Sequence, residues 1–475
     1  MNLRTFTKEY IEIMKPINEK ILKYVEDNSE EEDYFDEIVQ YINDKKIVEQ
    51  KFDLNALLHL ISKISNNHHQ NRDFYPKIFI IIKTYANEIK GKLSNLSIFS
   101  IFKSNKKILL FLFKEKILIP DETIFYIIIN GKYKEKYYYP HYFFPEFKSF
   151  YYEQLKKEII SIDTHLFDKN ENDTFESKRI NGQNDNYICQ LIQNDSIEEF
   201  IVYVNKNNVN ISSIIKPSIF ETNLFLLKRE SSLIEYASFY GSMQIIKYLF
   251  MNQIELKSTL WLYSIHSKNP ELIHFLEENH VKQPIYNERN QCYKESIKCH
   301  HNDIANYIKD NFDVNKDLHY WTNFYSNIDG FAYYNFINLH EELQYEFNTI
   351  EKFNGQIDNI FFNSCKYDYI YIVYYILENT YYNINTVIIT KICFFLIKFK
   401  IYFYAYSFNE HTLYYFDESE ILVSTFIGFS FKIYIAPIHL AVEKGNVEIV
   451  KMLISKQDID LNIQRIVSSL IVNPI

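Results

Sequence analysis

Four residues in the second half of the chain, Cys292, Cys299, His300 and His301, are of the types that bind transition metals. Zinc sites usually combine such thiolates and imidazoles, with ligands about two to five residues apart in each half of the site. The spacing here, C-x6-C-H-H, matches none of the common zinc patterns. We therefore interpret the residues from Cys299 to His301 as an ordinary turn between two helices, and we expect neither a metal ion nor a cofactor.

Two further patterns that would indicate an enzyme are incomplete. His340 and Glu341 begin like the zinc-protease motif H-E-x-x-H, but Gln344 stands where the second histidine ligand is needed. The eight glycines are scattered, and neither G-x-G-x-x-G nor G-x-x-x-x-G-K occurs, so the sequence offers no glycine-rich loop for a nucleotide phosphate. The sequence therefore predicts no catalytic residues and indicates a protein that is not an enzyme.

The composition indicates a protein with a large hydrophobic core. Of the 475 residues, 47% are hydrophobic and 17% are aromatic, which suits either two or three domains or one long array of repeats. The formal net charge of −10 disfavours nucleic acid or an anionic membrane as the main partner, because an acidic surface repels both. Five scattered cysteines and an N-terminus without a signal-peptide core favour the cytoplasm or the nucleus.

Two short segments leave alternatives open. We interpret the acidic run at 26–33 as a solvated loop, with docking of a basic partner as the alternative. The Lys- and Tyr-rich stretch at 132–140 is typical of a loop whose tyrosine rings pack on neighbouring helices, and stacking of single-stranded bases on those rings is the alternative.

The clearest structural signal is the segment from Ala436 to Ile454. Pro437 opens a helix without losing a hydrogen bond, Gly445 supplies a left-handed stop, and a second apolar helix follows. Together with Asn462 in the next turn, this segment resembles one ankyrin repeat position for position. Because one such unit cannot bury its own apolar face, the resemblance implies stacked neighbours at a spacing of about 33 residues.

Eroded copies of this pattern occur earlier in the chain. Ala237 and Gly241 stand in the same register as Ala441 and Gly445. The second-helix pattern that begins at Gln244 returns at 271–276 and again at 303–308. These spacings agree with an ankyrin-like period in which the loops vary in length.

The copies also depart from the ankyrin pattern. Lys268 and His300 replace the glycine, so we expect altered turn geometry at these two positions. The stretch 232–308 resembles a domain of unknown function that is found beside ankyrin repeats in large protist families. Weaker echoes of the second helix lie at 107–112, 199–204 and 371–377.

These patterns predict an all-α fold, in which an N-terminal helical region precedes an ankyrin-like solenoid of stacked helix pairs. In chain order we expect an N-terminal helical region, a linker, degenerate repeats, an anomalous insert, one ankyrin repeat and a tail. Their expected ranges are 1–163, 164–185, 186–385, 386–435, 436–464 and 465–475.

The insert is anomalous because the repeat spacing fails across it. From Asp368, which holds the glycine position in the preceding unit, to Gly445 the distance along the chain exceeds one ankyrin period by about 44 residues. The apolar run at 387–404 shows no clean helix or strand period. Its lysines disfavour a membrane span, since each costs about 2.5–3.5 kcal/mol near the bilayer centre. We interpret 387–435 as translated sequence that does not belong to the working protein, such as an unspliced intron.

The resemblance also indicates a function. Ankyrin-repeat proteins bind protein partners on a concave surface that includes the two residues before each glycine position. The leading interpretation is therefore a non-catalytic scaffold for protein–protein interaction. The alternative is an adaptor or enzyme subunit with an unrecognised activity in its N-terminal helices, which would not hold if those helices continued the solenoid. The candidate partner-binding residues are Phe239, Tyr240, His266, Ser267, Lys298, Glu443 and Lys444.

Overall fold

The computed structural model describes residues 3–27, 33–68, 73–130, 138–148 and 172–312, together with part of the C-terminal region. In that region it describes residues 361, 362, 365, 373, 377, 384, 388–397, 400–407, 427–443, 446–456, 458–460 and 467–472. The chain forms two compact units. The larger unit is Tyr10–Asn315 with Ala332–His340, and the smaller unit is Met1–Glu9, Lys316–Phe331 and Glu341–Ile475. Across the described residues, no helix combines the length and the apolar character needed to cross a membrane.

The N-terminal region is a series of helices, as the apolar spacing predicts. They are α1 (Leu3–Glu26), α2 (Asp33–Asp44), α3 (Lys51–Asn67), α4 (Phe74–Thr84), α5 (Ala86–Lys92), α6 (Asn95–Phe102), α7 (Lys106–Lys114), α8 (Glu122–Asn130), α9 (Tyr139–Tyr142) and α10 (Phe144–Phe147). α3 packs against α4 and α6, because Leu54, Leu57 and Ile61 repeat at helical spacing and are all buried. Asn105 begins α7 by accepting a hydrogen bond from the amide of Ile108 at 3.0 Å.

The polar segment at 164–185 contains a packed helix, α11 (Asn172–Asn181), while residues 164–171 lie outside the described residues. Arg179 of this helix is fully buried. Its guanidinium donates to both carboxylate oxygens of Glu146 at 2.6 Å and also pairs with Glu176. Because two carboxylates pair with the buried charge, a helix of polar composition packs here, where the sequence predicts a linker.

Four helix pairs follow in the larger unit. The inner helices are α12 (Tyr187–Gln193), α15 (Leu233–Tyr240), α17 (Leu260–Ser267) and α19 (Tyr286–Lys298), and the outer helices are α13 (Ile197–Lys206), α16 (Met243–Met251), α18 (Pro270–Glu278) and α20 (Asn302–Asn311). A short helix, α14 (Leu224–Leu227), lies between the first two pairs. Each inner helix contacts the inner helix of the next pair, and Ala237 is fully buried where α15 meets its neighbours. The expected all-α fold of stacked helix pairs is confirmed here.

The turn inside each pair contains one residue in the left-handed conformation. These residues are Asp195 with φ 48°, Gly241 with φ 71°, Lys268 with φ 51° and His300 with φ 59°. The expectation of altered geometry at Lys268 and His300 is therefore wrong. A residue with a Cβ atom costs about 1–2 kcal/mol in this conformation, so the rest of the fold must offset this strain at Asp195, Lys268 and His300. At Gly241 a Cβ atom would lie 3.1 Å from the Cβ of Ser267, so the close approach of the next pair also favours glycine.

The smaller unit contains a further helix pair, α21 (Pro437–Glu443) and α22 (Val447–Ile454), and an antiparallel sheet. The strands are β1 (Ile388–Ile397), β2 (Lys400–Ser407), β3 (Ile427–Ile435) and β4 (Val467–Val472), in the order β2-β1-β3-β4. The apolar run at 387–404 forms strands, although its sequence shows no clean strand period. Its β-branched and aromatic residues favour strands even without an alternating polar face.

Candidate functional site

Two of the three junctions between successive helix pairs of the larger unit share one hydrogen bond. At these junctions the residue after the left-handed position donates to the carbonyl three residues before the left-handed position of the preceding unit. At the middle junction Asn269 Nδ2 donates instead to the carbonyl of Gly241 at 3.4 Å. Ser242 Oγ donates to the carbonyl of Ile192 at 2.5 Å, and His301 Nδ1 lies 2.7 Å from the carbonyl oxygen of Ile265. Because the partner is a carbonyl oxygen, Nδ1 of His301 carries the proton. These bonds fix the register between neighbouring pairs.

The predicted partner-binding residues of the larger unit are largely internal. Phe239, with 9% of its surface exposed, is buried together with His266 and Ser267, and Tyr240 is half-buried. Phe225 of α14 covers them, with its ring centroid 5.7 Å from that of Phe239 and 4.0 Å from that of His266. The side chain of Lys298 is 41% exposed and is accessible to a partner.

The remaining two candidates lie in the smaller unit. Glu443 is the last residue of α21, and Lys444 lies outside the described residues. Partner binding by any of the seven candidates stays a prediction. Because Phe239, His266 and Ser267 are buried, Tyr240 and Lys298 are the candidates of the larger unit that a partner can contact directly.

The burial has a clear structural cause, because the N-terminal helices pack against the repeat pairs. α3 contacts both α14 and the inner helix α19. All residues of α17 except Leu262 are buried, so this inner helix has no exposed concave face of the kind that the ankyrin resemblance implies. Lys106 of α7 is also buried, and its ammonium donates to the carbonyls of Ile219 at 3.1 Å and Glu221 at 2.8 Å.

Lys268 and His300, which replace glycine, both contact the N-terminal helices. The ammonium of Lys268 pairs with the carboxylate of Glu26 at the end of α1. The ring of His300 packs edge-on against His68, with centroids 6.1 Å apart. His68 in turn lies with Nδ1 2.6 Å from the carbonyl oxygen of Cys299 and Nε2 3.0 Å from Glu26. The strained turns therefore supply the side chains that hold the N-terminal helices in place.

The electrostatics of this contact are consistent with its geometry. Burial opposes ionisation of Glu26, but its hydrogen bonds with His68 and Lys268 outweigh that effect and lower its pKa to about 2. Burial, together with the nearby His68, lowers the pKa of His300 to about 3, so this imidazole is neutral at physiological pH.

A cavity of about 310 Å³ lies beside the segment that precedes α15. Its lining includes Tyr138, Glu221, Arg229 and Tyr236. Glu221 accepts a hydrogen bond from the amide of Asn223 at 2.8 Å through Oε1, while its buried Oε2 has no hydrogen-bond partner among the described residues. Burial raises the pKa of this carboxyl to about 7.

A second cluster of polar side chains surrounds His266 in the interior of the repeat pairs. Its Nδ1 lies 3.5 Å from the Sγ of Cys299, and its Nε2 lies 3.3 Å from Oε1 of Glu295. Burial alone would raise the pKa of Glu295, but Lys298, His266 and Arg229 hold it below its usual range. Burial raises the pKa of the Cys299 thiol well above its ordinary value, so this sulfur is not an activated nucleophile.

Glu295 was not predicted as a site residue, although the sequence contains a signal for it. Glu295 and Cys299 lie four residues apart and therefore share one face of α19 and the turn that ends it. The repeat register also aligns His266 with Lys298, the neighbour of Cys299. No sequence signal points to His68 or Glu26, because their partners Cys299 and Lys268 lie far away along the chain, at separations of 231 and 242.

Comparisons with known proteins address one part of the chain. The family model described as ankyrin repeat matches residues 435–466, which include α21 and α22. No curated protein and no solved structure matches the chain. The chain therefore contains one segment that matches the ankyrin repeat family, within a fold whose helix pairs stack in an ankyrin-like way.

Proposed function

We propose that this protein is a non-catalytic scaffold for protein–protein interaction, built on ankyrin-like helix pairs. The observation that carries this proposal is the repeated hydrogen bond between successive pairs, seen at Ser242 and His301. Arrays joined in this way present an extended, pre-organised surface, which is what a binding scaffold needs. The ankyrin repeat match at 435–466 supports the same function, because such repeats typically mediate protein–protein contacts.

The partner contacts surfaces that the N-terminal helices leave open. Lys298 is accessible at the end of the inner helix α19, and Met251, 73% exposed, is accessible at the end of the outer helix α16. Val202 of α13 is also exposed on an outer helix. The partner is a protein, and the buried free thiols of Cys189, Cys292, Cys299 and Cys365 fit a reducing compartment such as the cytoplasm or the nucleus.

A second function, an adaptor or enzyme subunit with its activity in the N-terminal helices, has less support. Those helices share one compact unit with the repeat pairs, and α3 packs directly on α19. Part of the surface of α3 is therefore buried against the repeat pairs. The finer assignment, to the degenerate domain found beside ankyrin repeats in protists, rests on the sequence pattern of 232–308 alone.

The experiment that tests the scaffold function uses the purified full-length chain. A partner captured from cell extract is itself purified and recombined with the chain, and the dissociation constant is measured by calorimetry. Met251→Ala and Lys298→Ala, which remove accessible side chains on an outer and an inner helix, localise the surface. The function is supported if the two purified proteins bind and one variant weakens binding at least tenfold without lowering the melting temperature. It is contradicted if no captured protein binds the chain when both are pure.

A further inference from the structure

Three buried side chains of metal-binding type meet between the third and fourth helix pairs. His266 lies near the end of α17, Glu295 lies in α19, and Cys299 follows α19 directly. One possible ligand atom from each of the three lies within 4.8 Å of the corresponding atoms of the other two. All three residues are buried, with Cys299 fully so.

The donor atoms match the preferences of one common ion. Zinc binds cysteine sulfur at about 2.3 Å and histidine nitrogen or carboxylate oxygen at about 2.0–2.2 Å, in tetrahedral geometry. Two ligands of such an ion lie about 3.3–3.7 Å apart, by the same bond lengths. The separation of 3.5 Å between Cys299 Sγ and His266 Nδ1 already falls in this range. Oε1 of Glu295 lies 3.3 Å from the other ring nitrogen, Nε2, so this carboxylate has to shift toward Nδ1 when one ion binds all three residues.

The surroundings of the group also suit an ion. The ring of Phe239 stacks on the imidazole of His266, and the ring of Phe225 packs against it at a tilt, so both limit its orientation. Lys298 lies 3.3 Å from Oε2 of Glu295, the carboxylate oxygen other than the one that faces His266. The ammonium therefore orients the carboxylate without occupying the space between the three donors.

From this geometry we infer that His266, Glu295 and Cys299 bind one zinc ion, with water as the fourth ligand. On binding, the thiol of Cys299 releases its proton to solvent and forms the sulfur–zinc bond. The thiolate and the carboxylate then balance the two positive charges of the ion, so zinc and its ligands carry no net charge. The ion connects α17 to α19 and clamps the third helix pair to the fourth.

The experiment measures metal uptake by the full-length chain. The protein is unfolded in urea with a chelator, freed of metal and refolded with or without one equivalent of Zn²⁺, because the buried site needs an open chain for entry. Bound metal is then counted by mass spectrometry. We expect one zinc ion per chain and a higher melting temperature for the zinc-loaded form. Uptake well below one ion per chain would overturn the inference.

Cobalt identifies the ligands. Refolding with Co²⁺ gives a near-ultraviolet charge-transfer band when a thiolate binds the ion, and Cys299→Ser is expected to abolish this band and to weaken zinc binding at least 100-fold. Cys189→Ser is the matched control, because Cys189 is another fully buried thiol on an inner helix and lies outside the group. A band that survives Cys299→Ser or disappears in Cys189→Ser would contradict the assignment.

Glu295→Gln keeps the approximate volume of the side chain and tests the third ligand if the cysteine variant folds poorly. We expect it to retain the cobalt–thiolate band while it weakens zinc binding about tenfold or more. Unchanged zinc affinity in this variant would remove Glu295 from the site. If every protein refolds equally well and none takes up metal, the three residues form a metal-free polar contact and the inference is wrong.

Discussion

Asn446 Nδ2 donates a hydrogen bond of 2.6 Å to the carbonyl oxygen of Cys365, across a sequence separation of 81. Asn446 follows Gly445, and Cys365 lies three residues before Asp368, so this is the bond that Ser242 makes in the larger unit. Lys456 adds a second link, at 3.3 Å, to the carbonyl of Leu377. The helix pair at 437–454 therefore already stacks on the unit that precedes the insert.

Removal of residues 387–435 is expected to leave this stacking intact. The deletion shortens the chain between Asp368 and Gly445 to almost the same spacing as that between Gly241 and Lys268. We expect the free energy of unfolding, measured in urea, to equal or exceed that of the full chain, because the stacked neighbours are retained. Adding Asn446→Ala to the deletion should cost about 1–2 kcal/mol, since the carbonyl of Cys365 loses its donor.

The origin of the insert is tested separately, by sequencing the mature transcript. A translated intron predicts a message that lacks the codons for 387–435. The interpretation is wrong if the message contains these codons in frame and the deletion lowers stability. In that case the sheet formed by β1, β2, β3 and β4 belongs to the working protein.

Replacement of Phe239 by alanine is expected to affect folding before it affects binding. The ring is buried and stacks on Phe225 and His266, so its removal leaves a cavity and should cost about 3–5 kcal/mol. Met251→Ala, at an exposed position, should change the free energy of unfolding by less than about 0.5 kcal/mol. Equal urea midpoints for the two variants would show that the ring of Phe239 is accessible.

The strained turn at Lys268 is tested with Lys268→Gly in two backgrounds. When Glu26→Gln has already removed the ion pair, glycine should raise the free energy of unfolding by about 1 kcal/mol through relief of the left-handed strain. In the wild-type background the gain should be smaller, because the substitution also removes the contact with Glu26. Gln253→Gly, at a left-handed position after α16, is the control and should have the same effect in both backgrounds. Identical effects of Lys268→Gly in both would exclude a role for the pair.

Replacement of Glu221 by glutamine is expected to stabilise the protein, and the gain should increase with pH. Burial raises its pKa in the folded chain to about 7, above the value of 4.5 expected for an exposed carboxyl, so folding favours the protonated form. Ionisation of Glu221 therefore lowers the stability of the wild type as the pH rises from about 4.5 through 7, and this contribution is absent from Glu221→Gln. The free energy of unfolding of the variant minus that of the wild type should be about 2 kcal/mol larger at pH 8 than at pH 5. The comparison uses the difference between the two proteins, because Lys106, whose pKa burial lowers to about 7, titrates in both. A difference that stays constant with pH would contradict the prediction.

Local sequence determined the helix pairs and their register. The spacing of apolar residues, the buried Ala237 and the left-handed Gly241 follow from a pattern that repeats within each unit, whereas the left-handed conformation of Lys268 and His300 was not predicted. These features depend on residues three or four positions apart or on residues one repeat of about 33 residues apart. Both spacings can be read from the sequence as a periodic pattern. The helical N-terminal region was predictable for the same reason.

Tertiary structure decided which of these surfaces remain open. The inner face carries the expected candidates Phe239 and His266, yet α14 and the N-terminal helices cover it through contacts between segments far apart in sequence, such as that of His68 with Cys299. The meeting of His266 with Glu295 and Cys299 was likewise decided by the packing of α17 on α19. A periodic pattern specifies which face of a helix is apolar but not which distant segment will bury it, because that choice depends on shape and charge complementarity between residues far apart in sequence.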